Sequence, residues 1–72
     1  MNENQLYVKV GQKIRQIREL KKITQQELAA LCNIEKSNMS RIEAGRSNLT
    51  LKTMLIISDS LSIEIKDLLD FD

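Results

Sequence analysis

Apolar residues along the chain fall into five short groups, and within each group they recur every three or four positions. Val10, Ile14 and Ile17 mark the first group, with Leu20 a looser fourth member and Ile23 just past its end. That spacing places one apolar stripe along a helix. Thr24 and Glu27 then form the pattern T-x-x-E, a capping box that satisfies free amides at a helix start, and Leu28, Ala29 and Cys32 supply the inner face that follows. A second helix is predicted over about residues 25–32. Asn33 tolerates the left-handed conformation that stops a helix and turns the chain sharply. Another helix must start almost at once, because Met39 and Ile42 repeat at i, i+3 and Gly45 follows as a C-terminal stop. Thr50 is a good cap for a fourth helix, whose predicted buried face is Leu51, Met54, Leu55, Ser58 and Leu61. A short fifth helix carries Ile65, Leu68 and Leu69. With no Pro and two Gly, at positions 11 and 45, strand-and-turn architectures are poorly served. The expected fold class is therefore all-α, a compact bundle of five short helices.

Composition narrows the picture. The 72 residues are expected to form one domain over 1–72, long enough for a small core and too short for a core plus a separate ligand-binding domain. One Cys and no His rule out a disulfide framework or a zinc site within a single chain, so no metal and no cofactor are expected. No apolar run approaches the roughly 18 residues of a membrane span, and MNENQLYVKV lacks the apolar stretch of a signal peptide. A cytoplasmic protein with no membrane partner is expected. The net charge of +1 hides an asymmetry. Residues 1–46 hold nine Lys and Arg against five Glu, a net of +4, whereas residues 47–72 hold two Lys against five acids, a net of −3. A basic front and an acidic tail suit a protein that turns one face to a polyanion.

The stretch TQQELAALCNIEKSNMSRIEAGR carries the chemistry. Counted from Gln25, a small residue falls fifth (Ala29), a turn residue ninth (Asn33), and apolar residues fourth, eighth, tenth, fifteenth and eighteenth (Leu28, Cys32, Ile34, Met39, Ile42). Ala29 admits close helix packing, Asn33 makes the turn, and the apolar set locks two helices at a wide angle. The remaining positions of the second of these helices face outward, free to enter a DNA major groove.

These residues resemble the helix-turn-helix domains of the Cro and lambda-repressor type. The resemblance covers about 11–69, through IRQIRELKKITQQELA, then SRIEAGR, then LTLKTMLIISDSL and IEIKDLL, in matching order and spacing. Within that family the chain looks most like the short stand-alone regulators, including restriction-modification controller proteins, because NLTLKT replaces the commoner Pro-containing loop. The resemblance implies a helix-turn-helix at helices two and three, with helix three (about 36–43) reading double-stranded DNA. Lys36, Ser37 and Arg41 match the family's base-reading positions, with Ser40 a fourth. Their chemistry fits, since Arg or Lys donates to guanine O6 and N7 and Ser bonds a base or a phosphate. Gln25 matches a position that clamps the DNA backbone, and Asn38, Arg46, Ser47 and Asn48 match similar phosphate contacts. Thr24 is either a phosphate contact or a pure cap, and Asn48 either a contact or a loop residue. Arg18 and Glu43 match a pair that ties the first helix to the end of the recognition helix, a structural rather than a reading role.

The chain also departs from the family pattern. Glu35 and Glu64 stand where Ser or Thr is the usual N-cap. An acid suits the positive end of a helix but caps it poorly, and near DNA the Glu35 carboxylate either accepts from cytosine N4 or repels phosphate. Cys32 replaces a larger apolar residue, and Leu31 either compensates for the lost volume or is exposed. Ile56, Ile63, Leu69 and Phe71 exceed what helices four and five need for one small core. They form either a homodimer interface or a satellite core under Leu6 and Tyr7.

The expected function is a sequence-specific transcriptional regulator, a homodimer on a palindromic operator. The alternatives are an antitoxin that binds DNA and also holds a toxin, or a helical protein-interaction adaptor. Lys36, Arg41 and Arg46 argue against the adaptor. A polymerase partner would accompany activation, but no motif marks a surface for it. An enzyme is the weakest reading, with no His, no Gly-rich phosphate loop and no carboxylate pair in a credible cleft, so no catalytic residue is assigned.

Overall fold

A computed structural model describes residues 1–71. Five helices follow one another: α1 (Glu3–Leu20), α2 (Gln25–Cys32), α3 (Lys36–Glu43), α4 (Leu51–Ser60) and α5 (Ile65–Leu68). Local rules set most of their ends. The Thr24 hydroxyl accepts from the Glu27 N–H at 3.0 Å while the Glu27 carboxylate accepts from the Thr24 N–H at 2.9 Å, which closes the capping box at the start of α2. Asn33 ends α2 at φ 55° and ψ 41°, the left-handed conformation its short polar side chain tolerates. Thr50 caps α4 by accepting from the Thr53 N–H at 3.1 Å. The first helix starts at Glu3, well ahead of the apolar stripe at Val10, because Asn2 and Gln5 form a further capping box.

The core is one cluster drawn from all five helices: Val10, Ile14, Leu28, Ala29, Cys32, Met39, Ile42, Met54, Ile57, Leu61 and Leu68. Helix α1 packs on α3 and α5, and α2 packs on α3 and α4. Two expectations for α4 need correction. Leu51 and Leu55 are 73% and 48% exposed, while Ile57 is fully buried. The buried stripe is Met54, Ile57, Ser58 and Leu61, spaced i, i+3, i+4, i+7, so the helix is rolled away from the face the leucines suggested. Leu69 is likewise 45% exposed; it lies beyond α5 as its C-terminal cap, with only Leu68 of that helix fully buried. Leu31 is exposed, and Cys32 is buried as a small core residue.

Both glycines serve one helix crossing. A Cβ on Gly11 would stand 2.5 Å from the Ile42 carbonyl oxygen and 2.7 Å from that of Glu43. Gly45, at φ +76°, stops α3 and lies against α1, where a Cβ would meet Val8 Cα at 2.6 Å. Close approach of α1 to the end of α3 therefore depends on bare backbone on both sides. No helix among the described residues is long and apolar enough to cross a membrane.

Candidate nucleic-acid interface

The two-helix unit that presents the candidate face is held from behind. After Asn33, the Ile34 N–H returns to the Ala29 carbonyl at 2.9 Å and fixes the turn, so α3 leaves α2 in a defined direction. Met39, Ile42 and Glu43 are the buried residues of α3. At about 100° per residue, Ser37 and Arg41 point opposite to that buried face, with Ser40 and Asn38 on its flanks. Lys36 opens the helix. Lys36, Ser37, Asn38, Ser40 and Arg41 are all exposed. A polar concavity runs along this side, lined by Asn33, Ile34, Glu35, Ser37, Asn38 and Arg41. Two cations and several neutral donor-acceptor groups thus project from a short helix whose other side is immobilised in the core. Such a surface can donate to guanine and to phosphate oxygens without rearranging its backbone.

Behind α3, Arg18 and Glu43 form a two-pronged ion pair. The Arg18 Nε–H donates to Glu43 Oε2 at 2.7 Å and Nη2 donates to Oε1 at 3.0 Å. Its Nη1 reaches the Ile23 carbonyl at 2.8 Å, which ties the end of α1 to the start of α2. The side chains are 10% and 4% exposed, so these charges are desolvated and depend on each other. The hydrogen bond to Glu43 pushes the Arg18 guanidinium above its ordinary value, and burial opposes it. Arg18 is therefore a permanent cation.

Gln25 belongs to the same network. Its Nε2 donates to Glu43 Oε1 at 3.2 Å, so the first side chain of α2 is hydrogen-bonded to the last residue of α3. One amide hydrogen of Gln25 is used in this way and the other is left for an outside acceptor. The loop residues Arg46, Ser47 and Asn48 follow only a few positions after Glu43; Arg46 and Asn48 are exposed and Ser47 is half-buried. Gln25 and this loop therefore gather at the C-terminal end of α3. Thr24 is exposed, but its hydroxyl oxygen is engaged in the capping box. The acceptor role of Glu43 toward Gln25 was not readable from local sequence, because the two lie 18 residues apart and meet only through the turn.

The residues read as surplus to the core divide. Ile56, Ile63 and Phe71 pack partly on their own core, and the Lys9 ammonium sits 5.6 Å from the centre of the Phe71 ring. Leu69 projects outward, and so do Leu51 and Leu55, which share one stripe at i, i+4 on α4. Elsewhere, the Cys32 thiol donates to Ser60 Oγ at 3.3 Å, and burial pushes its pKa up. A raised value keeps it a thiol rather than a reactive thiolate. No group of metal-ligating side chains occurs among the described residues.

Residues 14–68 match the helix-turn-helix family. The control protein C.BamHI of Bacillus amyloliquefaciens is 41% identical over 69 residues, covering 94% of this chain and 85% of that protein. The crystal structure of the restriction-modification controller protein C.AhdI from Aeromonas hydrophila superposes with a TM-score of 0.83 at 34% identity, over 86% of this chain and 94% of that one. The controller protein C.Esp1396I, solved as a tetramer in complex with its natural 35 base-pair operator, gives 0.77 at 33% identity, over 90% of this chain and 96% of its own.

Proposed function

The chain belongs to the helix-turn-helix family, and from that premise we propose that it is a sequence-specific DNA-binding transcriptional regulator of the restriction-modification controller type. It acts as a homodimer on a palindromic operator, with α3 of each protomer in the major groove. One observation carries the reading: the outward side of α3 combines Lys36, Ser37, Ser40 and Arg41, while its inner side is locked by Met39, Ile42 and the Arg18–Glu43 pair. Lys36 and Arg41 donate to guanine, and Ser37 and Ser40 adapt to either neighbour. Thr24, Gln25, Asn38, Arg46, Ser47 and Asn48 contact the phosphates and set the register.

A single short helix reads only a few base pairs, so two are needed, about 34 Å apart on one side of the duplex. The second protomer docks on the α4–α5 side, where Leu69 joins Ile56, Ile63 and Phe71, and where exposed Leu51 and Leu55 enlarge the apolar surface. On this reading the chain binds DNA in the cytoplasm rather than catalysing a reaction, and the match to the helix-turn-helix family supports it.

The test is footprinting on the DNA upstream of its own gene, against scrambled competitor and at two salt concentrations. Protection of paired half-sites about one helical turn apart is expected, weakening as salt rises because the phosphate contacts displace counterions. Equal affinity for specific and scrambled DNA would overturn the proposal.

A further inference from the structure

We infer that Glu35 is a specificity-determining residue of the DNA-binding face, its carboxylate accepting a hydrogen bond from the N4 amino group of a cytosine in each half-site. The inference rests on the reading of the chain as a sequence-specific regulator and adds one base contact to that site.

Elimination supplies the first argument. Three acids lie between Thr24 and Thr50, namely Glu27, Glu35 and Glu43. Glu27 closes the capping box with Thr24, and Glu43 holds Arg18 and Gln25 in the interior. Glu35 has no such task. It is exposed, it occupies the N-cap position of α3 without a side-chain bond to that helix, and no Lys or Arg among the described residues lies within ion-pair distance of it. Its side chain shares the polar concavity with Ser37, Asn38 and Arg41, on the side of α3 that faces away from the core.

Chemistry then selects the partner. An ionised carboxylate offers acceptors only. In the major groove cytosine N4 has an acceptor on one side only, O6 of the paired guanine, whereas adenine N6 lies between its own N7 and O4 of the paired thymine; guanine itself shows only the acceptors N7 and O6, and thymine O4 and a methyl group. The first residues of a recognition helix are the ones that reach base edges. Lys36 and Arg41 offer donors only, so Glu35 complements them by reading a donor base next to acceptor bases. Its charge is opposite to what non-specific phosphate attraction requires, so opposite a wrong base the carboxylate weakens binding. One residue thereby favours the right base and penalises the wrong ones.

The test is binding-site selection from an operator pool with randomised half-sites, run in parallel with wild type, Glu35→Gln and Glu35→Ala, with thermal midpoints measured alongside. Wild type should enrich cytosine at one position per half-site. In both variants that preference should fall about fivefold, the low end expected for a base contact, with the other positions unchanged. Affinity for scrambled DNA should rise, and the thermal midpoints should stay level. Identical enrichment in all three proteins would overturn the inference while leaving the regulator intact. A uniform loss of binding with a lowered midpoint would overturn it equally, by making Glu35 a structural cap. If wild type itself enriches nothing, the regulator reading fails and takes this inference with it.

Discussion

Replacing Arg18 by Met tests whether the ion pair behind α3 is an internal brace. The substitution keeps most of the aliphatic stem but removes three hydrogen bonds: two to Glu43 and one to the Ile23 carbonyl. Glu43 would then be a carboxylate with a 4% exposed side chain and only the Gln25 amide as partner. Breaking a buried pair in this way costs about 3–5 kcal/mol, mostly from stranding the remaining charge. A folded chain of 72 residues has roughly 4–11 kcal/mol in total, so the variant should lose about a quarter or more of its stability. Removing both charges, as Arg18→Met with Glu43→Leu, should recover much of that loss, because no buried ion is left unpaired. The assay is urea unfolding followed by far-UV circular dichroism, at one fixed protein concentration because any self-association adds to apparent stability. A loss under about 1 kcal/mol for the single variant would refute the argument, since that is the worth of a solvent-screened pair. So would additive losses in the double variant, which would mean that the two side chains are not coupled.

Other substitutions probe neighbouring parts of the design. Gly11→Ala should destabilise the protein by about 2 kcal/mol in thermal unfolding despite the better helix propensity of Ala, because the new Cβ meets two backbone carbonyls that cannot rotate away. Arg41→Ala should lower operator affinity and relax preference at one base pair with an unchanged thermal midpoint, whereas Gln25→Ala should weaken binding evenly across sequences; competition gel shifts with operator variants separate the two patterns. The Thr24 N–H and hydroxyl hold the Glu27 carboxyl below the usual carboxylate range. With the folded value depressed, the stabilisation is fully present above the unfolded value and lost as pH falls through the folded one. Wild type should therefore exceed Glu27→Gln in urea midpoint at neutral pH, and the difference should vanish in acid. A difference independent of pH would assign the effect to packing instead.

Helix boundaries and much of the candidate face were legible in the sequence because the signals that set them act within one turn. The T-x-x-E box, Asn33, Gly45 and Thr50 each satisfy or end backbone hydrogen bonds three or four residues away, so their effect scarcely depends on the rest of the fold. The outward positions of α3 follow in the same way, since Met39 and Ile42 fix which side is buried and the helical period assigns the others. The start of α1 obeys the same local rule, in the Asn2 and Gln5 pair, whose two bonds are both 2.9 Å.

What only the tertiary structure decided are contacts between residues far apart in the chain. Helix α4 is apolar on more than one side, so its composition permits several rotations, and packing against α2 and α5 selected the one that buries Ile57 and exposes Leu51 and Leu55. The crossing of α1 over the end of α3 gave both glycines their purpose. The turn brought Gln25 to the Glu43 carboxylate already held by Arg18, 25 residues earlier in the chain, and left Glu35 without an ion-pair partner among the described residues. Local periodicity constrains a residue's face on its own helix; what stands opposite that face is set by how the helices cross, which depends on the packing of the whole core at once.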